Sequence, residues 1–340
     1  MPSIFPQNFL IALYIGNGKP CYKQGMESPL VLLLAGFVVL GLAGEALLRG
    51  AVTLADKLRV SPLIIGLTII AFGTSAPELT VSLNAALNGQ PDISIGNVVG
   101  SNIANILLVM GAMALVSPFF VNHGTLGRDG GFMLAVSALL FVLGLVGMIA
   151  RPVGMALFVI LIGFTYYLYT SAREAEDMAE AEAGIDENLV PGGAAVAALV
   201  LLVGIAGVIW GAELMVDGAV ALARQWGISE AVIALSLVAI GTSLPELAVS
   251  LVAAMRGHAG LAVGNIIGSN ISNILLILGV TSMVAPLPVS EMMAMRDIPI
   301  MIGVACLGFI LMASGRAMSR LEGALSLALY AAYMGFIFSA

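Results

Sequence analysis

Gly73-Thr74-Ser75-Ala76-Pro77-Glu78-Leu79 returns 168 residues later as Gly241-Thr242-Ser243-Leu244-Pro245-Glu246-Leu247. A second stretch, Gly96-Asn97-Val98-Val99-Gly100-Ser101-Asn102-Ile103-Ala104-Asn105, returns at the same offset as Gly264-Asn265-Ile266-Ile267-Gly268-Ser269-Asn270-Ile271-Ser272-Asn273. Glu45 and Glu213, Pro118 and Pro286, and Arg128-Asp129 and Arg296-Asp297 keep that spacing too. One constant offset over so long a stretch means two halves built from one unit. Each half places a glutamate, a proline and two hydroxyls inside an apolar run. That pattern marks a secondary transporter with broken helices and an ion site near the bilayer midplane.

Composition narrows the class. Hydrophobic residues make up 60% of the chain and charged residues 10%, with a mean hydropathy of +1.07, which excludes a soluble globular domain. The net charge of -7 comes largely from one acidic loop between Glu174 and Glu187, and there is no basic patch to bind nucleic acid. Cys21 and Cys306 cannot form a disulfide framework, and Cys306 reads as a small packing residue. The 40 glycines suit close helix–helix approach in lipid.

Residues 1–28 differ from the rest and read as an N-terminal extension, with Met26 as the expected start of the native protein. They have neither the positive leader nor the cleavage site of a signal peptide. Ser28-Pro29 then opens a clean span. The sequence predicts an all-α integral membrane protein with ten transmembrane helices, near 30–48, 62–88, 94–117, 130–149, 153–170, 193–214, 229–254, 262–285, 298–313 and 321–338. The first repeat covers 29–170, an acidic cytoplasmic linker 171–192 and the second repeat 193–340. Five spans per half is an odd number, so the second half enters the membrane upside down.

Orientation follows from the short-loop bias in Lys and Arg. Arg49, Lys57, Arg59, Arg128, Arg173, Arg256, Arg316 and Arg320 fall on one side, against Arg151, Arg224 and Arg296 on the other. The first set is expected in the cytoplasm. The chain is then multi-pass in the cell's inner membrane, with both ends of the helical core outside. The linker reads as solvated and helix-prone.

The chemistry lies in the two motifs. Pro77 has no N–H and its ring disrupts the preceding turn, so a break near Gly73 is expected. Carbonyls near Ala71–Gly73, the hydroxyls of Thr74 and Ser75 and the carboxylate of Glu78 then offer only hard oxygens. Ala239, Thr242, Ser243 and Glu246 repeat the set. Two carboxylates and two carbonyls facing each other give enough oxygens for Ca²⁺, while the lack of nearby His or Cys argues against zinc, copper or iron. Two ionised glutamates are neutralised by one Ca²⁺. Uncompensated, each costs several kcal/mol in lipid, so exchange is favoured over uniport.

In the second motif the glycines provide small-residue packing faces, and Ser101 with Asn105, like Ser269 with Asn273, lines one helix face. Asn105 and Asn273 read as facing the site. For Asn97, Asn102, Asn265 and Asn270, interhelical hydrogen bonding and cation ligation are both open. Glu45 is expected to pair with Arg49 one turn away, whereas Glu213 has Asp217 at that position.

Through both Gly-Thr-Ser-x-Pro-Glu signatures and both Gly-Asn-x-x-Gly-Ser-Asn elements the chain resembles the cation/calcium exchanger superfamily, in particular its prokaryotic sodium/calcium exchanger-like members. The resemblance spans about 29–338. It implies alternating access and antiport of Ca²⁺ against Na⁺, three Na⁺ for each Ca²⁺. It carries ion ligation over to Ala71, Thr74, Ser75, Glu78, Ser101 and Asn105, and to Ala239, Thr242, Ser243, Glu246, Ser269 and Asn273. Some relatives have an acid where this chain has Asn273, which in one branch accompanies K⁺ co-transport; Asn273 argues against K⁺ dependence. The large cytoplasmic calcium-sensing domains of other members have no room in the linker. The chief rival is a Ca²⁺/H⁺ antiporter of the same fold, with the glutamates carrying protons. Such relatives show Gly-Asn-Ala-x-Glu where this chain runs into Gly-Ser-Asn, which favours Na⁺. A passive channel fits the inverted repeat poorly. An enzyme has no Ser/His/Asp or Cys/His set to work with, since His123 and His258 fall in loops. No cofactor and no protein partner is implied; the partners are Ca²⁺, Na⁺ or H⁺, and the lipid bilayer.

Overall fold

The computed structural model describes residues 28–121, 126–179, 189–227, 239–313 and 317–339. The N-terminal extension with Met26 and Cys21, His123, most of the linker's acidic run and the start of the seventh expected span lie outside the described residues. The chain is helical. In order come α1 (Pro29–Leu58), α2 (Pro62–Thr74), α3 (Ala76–Leu87), α4 (Pro91–Val116), α5 (Leu126–Val146), α6 (Arg151–Ala179) and α7 (Ala194–Gln225). They are followed by α8 (Ala239–Thr242), α9 (Leu244–Met255), α10 (Ala259–Val284), α11 (Met293–Ala313) and α12 (Arg320–Ser339). Among the described residues seven helices are long and apolar enough to cross a bilayer, or eight with the bent pair α2 and α3 taken as one.

Local chemistry sets the ends. Ser28 caps α1 by accepting from Val31 N at 3.2 Å, with Pro29 in the first turn, where its missing N–H is harmless. The first span does not stop near residue 48. It runs to Leu58 because Arg49 is paired within the helix to Glu45 and Gly50–Ala55 is buried. The sixth expected span likewise runs on to Gln225, past Asp217 and Arg224. The fourth stops at Val146, because Gly147 takes φ +82 and ends the helix.

The repeat offset in the sequence recurs in the contacts. In an antiparallel pair, Met148–Ile149 (β1) meets Leu287–Pro288 (β2), while Phe119 bridges to Met318. Adding the sequence offset to Phe119 gives Leu287, and removing it from Met318 gives Ala150, beside Ile149. Each half therefore reaches into the other in the same way. Helices α1 and α7 pack along each other with their backbones nearly touching. A Cβ on Gly204 would sit 2.5 Å from Leu47 N, and its counterpart on Gly36 2.5 Å from Met215 N. The next pair repeats this: Gly50 against Leu201 N and Gly218 against Leu33 N, both at 2.5 Å. Glycines at 204, 211 and 218 thus form a seven-residue ladder that lets this pair pack as one unit.

That unit breaks the symmetry. Helix α1 packs on α9, where Val252 Cγ2 lies 3.1 Å from the position of a Cβ on Gly44, and α7 also contacts α9. Among the described residues neither α1 nor α7 packs on α3, the counterpart of α9 at the repeat offset, to a comparable extent. Accordingly Ala76, Thr80 and Asn84, one face of α3, are exposed, whereas their counterparts Leu244, Ala248 and Val252 are half-buried. Glu45 fastens the occupied side, its Oε1 accepting from Arg49 Nε and its Oε2 from Arg256 Nε, each at 2.9 Å. Arg49 is the expected partner; Arg256, at the end of α9, is a second that helix periodicity alone does not reveal.

Candidate cation site

The break expected near Gly73 falls two residues later, at Ser75, where α2 and α3 meet at 44° with Ser75 at φ -81, ψ 7, while Gly73 stays helical. Ser243 has nearly the same dihedrals, φ -88 and ψ 2, between α8 and α9. Pro77 and Pro245 sit in the first turns of the helices that follow, so each begins a new helix rather than kinking an old one. One expectation is corrected in detail: the Ala71 carbonyl is not left free, since it accepts from Ser75 N at 3.1 Å. Thr74 Oγ1 also lies 3.5 Å from it, shared with Ile70 O. Ala239 occupies the matching place at the start of α8.

The two breaks meet where the two halves face each other. Ser75 Oγ lies 3.4 Å from Glu246 Oε1, and Thr74 Oγ1 lies 3.1 Å from Ile70 O and 3.4 Å from Asn265 Oδ1. Thr242 approaches Glu78 from the other half, and Ser269 approaches Glu246 without forming a hydrogen bond. Thr74, Ser75, Glu78, Ser101 and Asn105 are buried, as are Ser243, Glu246, Ser269 and Asn273. Thr242 is half-buried.

Asparagines brace the breaks. Asn97 Nδ2 donates to Glu78 O at 3.1 Å and to Ser82 Oγ at 3.0 Å. Its counterpart Asn265 donates to Glu246 O at 3.4 Å and to Ser250 Oγ at 3.0 Å. Both amino groups are thus used between helices, holding the backbone of each buried glutamate. Ser82 and Ser250 were missed in the sequence, although each lies one turn beyond its glutamate at the repeat offset.

Asn105 and Asn273 each begin a π-helical turn, Asn105–Val109 in α4 and Asn273–Leu278 in α10. Such widened turns are frequent at functional sites, and nothing in residue type announces them. The Asn105 turn packs on α9, the helix of Glu246, and the Asn273 turn on α3, the helix of Glu78.

Six oxygens from this set are buried with no hydrogen-bond partner: Glu78 Oε2, Glu246 Oε2, Asn105 Oδ1, Asn273 Oδ1, Ser243 Oγ and Ser269 Oγ. A buried unpaired polar atom costs roughly 1–3 kcal/mol, so half a dozen in neighbouring residues call for a cation. All are hard oxygens, and six is within the six to eight that Ca²⁺ takes. Elsewhere, an apolar cavity of about 650 Å³ between α2 and α6, lined by Ile64, Phe72, Phe158 and Leu161 among others, offers no such set.

The helical bundle, its paired broken helices and this oxygen set define a cation/Ca²⁺ antiporter. The chain belongs to the sodium/calcium exchanger protein family, whose profile matches residues 28–170 and again 196–339. It is 39% identical over 320 residues to the putative antiporter CaxA of Alkalimonas amylolytica, covering 91% of this chain and 98% of that one. To the sodium/calcium exchanger MaX1 of Methanosarcina acetivorans it is 34% identical over 342 residues, covering 91% and 98%. The solved sodium-calcium exchanger NCX_Mj superposes with a TM-score of 0.77 at 32% identity, over 90% of this chain and 98% of that one.

Proposed function

We propose that the protein exchanges Na⁺ for Ca²⁺ across the membrane by alternating access, through ten spans arranged as two inverted five-helix repeats. The observation that carries this is the set of orphaned oxygens where the two halves meet. Glu78 and Glu246 supply two negative charges, which one Ca²⁺ neutralises; Asn105 and Asn273 add carbonyl oxygens and no charge. Three Na⁺ in place of one Ca²⁺ leave a net positive charge, so each cycle moves charge. Ala71, Ala239, Thr74, Ser75, Thr242, Ser243, Ser101 and Ser269 complete the ion path with carbonyls and hydroxyls. An empty site with two uncompensated carboxylates resists crossing, which couples the two fluxes.

The α1–α7 pair is the moving element in this reading. Resting on α9, it closes the Arg256 side and leaves α3 uncovered. The Lys/Arg bias assigns the closed side to the cytoplasm of an inner-membrane protein. The decisive experiment reconstitutes the protein in vesicles and compares ⁴⁵Ca²⁺ uptake driven by a Na⁺ gradient with uptake driven by a pH gradient, each with and without K⁺. Na⁺-driven, K⁺-independent uptake is expected. Uptake driven by the pH gradient alone makes the protein a Ca²⁺/H⁺ antiporter instead.

A further inference from the structure

We propose that Asn102, which contributes no ligand itself, is a positioning residue that fixes the side-chain amide of Asn273 with its oxygen toward the cation. This rests on the cation site proposed above. An amide presents an acceptor on one side and two donors on the other, and the two faces are similar in shape. Left to itself, Asn273 could turn its NH₂ to the cation and repel it. The structure contains a chain of bonds that removes this freedom.

The chain starts at a group that has no choice. The backbone carbonyl of Asn270 only accepts, so Asn102 must present its amino group there, and Nδ2 lies 3.3 Å from Asn270 O. The same amino group lies 3.6 Å from Met301 Sδ, a second acceptor. Asn102 Oδ1 is thereby turned toward Asn273 and can bond only a donor. Asn273 meets it with Nδ2 at 2.9 Å. Asn273 Oδ1 is then forced to the other side, where it is buried without a partner. Asn102 and Asn270 are each 3% exposed and Asn273 1%, so bulk water does not reach the chain.

Among the described residues the relay exists in one half only. Asn270, the counterpart of Asn102, turns its amino group to Ile266 O in its own helix at 2.8 Å. Asn102 also sets specificity at position 273. A carboxylate there would place oxygen against Asn102 Oδ1, so the relay favours a neutral side chain and holds the site at two carboxylates.

The test is a double-substitution cycle on ⁴⁵Ca²⁺ uptake in reconstituted vesicles, reading KM and maximal rate separately. Asn102→Leu keeps the volume and removes the acceptor; it is expected to raise the KM for Ca²⁺ roughly tenfold, with a smaller change in maximal rate. Asn273→Ala raises KM on its own. Adding Asn102→Leu to Asn273→Ala is expected to raise it less than about twofold further, since the relay then has nothing to orient. If Asn102→Leu does not yield a monodisperse protein, Asn102→Ala takes its place in the same cycle. Additive effects in the cycle, or an unchanged KM in the Asn102 variant, overturn the relay. Glu78→Gln and Glu246→Gln run alongside: if they transport normally the cation site itself is wrong, whereas their failure together with an additive cycle refutes the relay alone.

Discussion

If the α1–α7 unit moves as proposed, replacing Arg256 by Gln isolates one ion pair between it and α9. Glu45 has two arginine partners, but Arg49 lies four residues away in α1 and travels with it. That pair is present wherever α1 goes and cancels between conformations. The Glu45–Arg256 pair joins α1 to the end of α9 and exists only while they touch. The two side chains are 24% and 60% exposed, so the pair is worth about 0.2–1 kcal/mol rather than the larger figure for a buried one. With 1.4 kcal/mol per factor of ten, the equilibrium between seated and lifted α1 moves roughly 1.4- to 5-fold. The assay is the modification rate of a cysteine at Ala248, under α1, in a background with Cys21 and Cys306 changed to Ser. Arg256→Gln is expected to speed modification at position 248 by up to about fivefold, and raised salt to speed it in the parent but not in the variant. A cysteine at Thr80, already exposed, is the reference and should respond the opposite way or not at all. An unchanged rate at position 248, with or without salt, would show that the ion pair does not hold α1 in place.

Glu78→Gln and Glu246→Gln each remove one of the two compensating charges while keeping size, and each should abolish Ca²⁺ uptake in vesicles while leaving insertion and detergent-phase monodispersity intact. Pro77→Ala and Pro245→Ala restore the N–H that lets the broken helices close, and should slow exchange more than they lower melting temperature, as uptake and thermal unfolding measured on the same preparations would reveal. Gly204→Ala brings a Cβ to 2.5 Å from Leu47 N, where backbone must yield, so the variant should show a lower melting temperature than Gly303→Ala, which meets nothing within 4 Å.

Much of this arrangement could be read from residues in order. The offset between repeats anticipated paired breaks near Gly73 and its counterpart, because proline and glycine act on the backbone locally; each falls two residues later, at Ser75 and Ser243. Glu45 with Arg49 was legible for the same reason, being one helical turn. Arg256 as a partner of Glu45 was not, since only tertiary packing brings the end of α9 to α1. Taking Arg49 as a span boundary shortened α1 on paper; a charge already paired can be carried well inside a helix. The roles of Asn97 and Asn265 stayed open because an asparagine amide suits a carbonyl or a cation equally well, and only the position of Glu78 O and Glu246 O decides. The asymmetry left a trace in side chains alone: α3 carries Thr80 and Asn84 where α9 carries Ala248 and Val252. Its meaning emerges only when one face is seen covered and the other bare.

The glycine ladder between α1 and α7 also has a consequence in time. The surface that fits against Gly36 and Gly50 belongs to a helix made more than a hundred residues later. At ribosomal rates α1 therefore waits in lipid for on the order of ten seconds before its companion is synthesised. During that interval Glu45 depends on Arg49, the one cation its own helix supplies within a turn. Pairing within a single turn thus protects a nascent helix, and the bond to Arg256 is added only once the second half arrives.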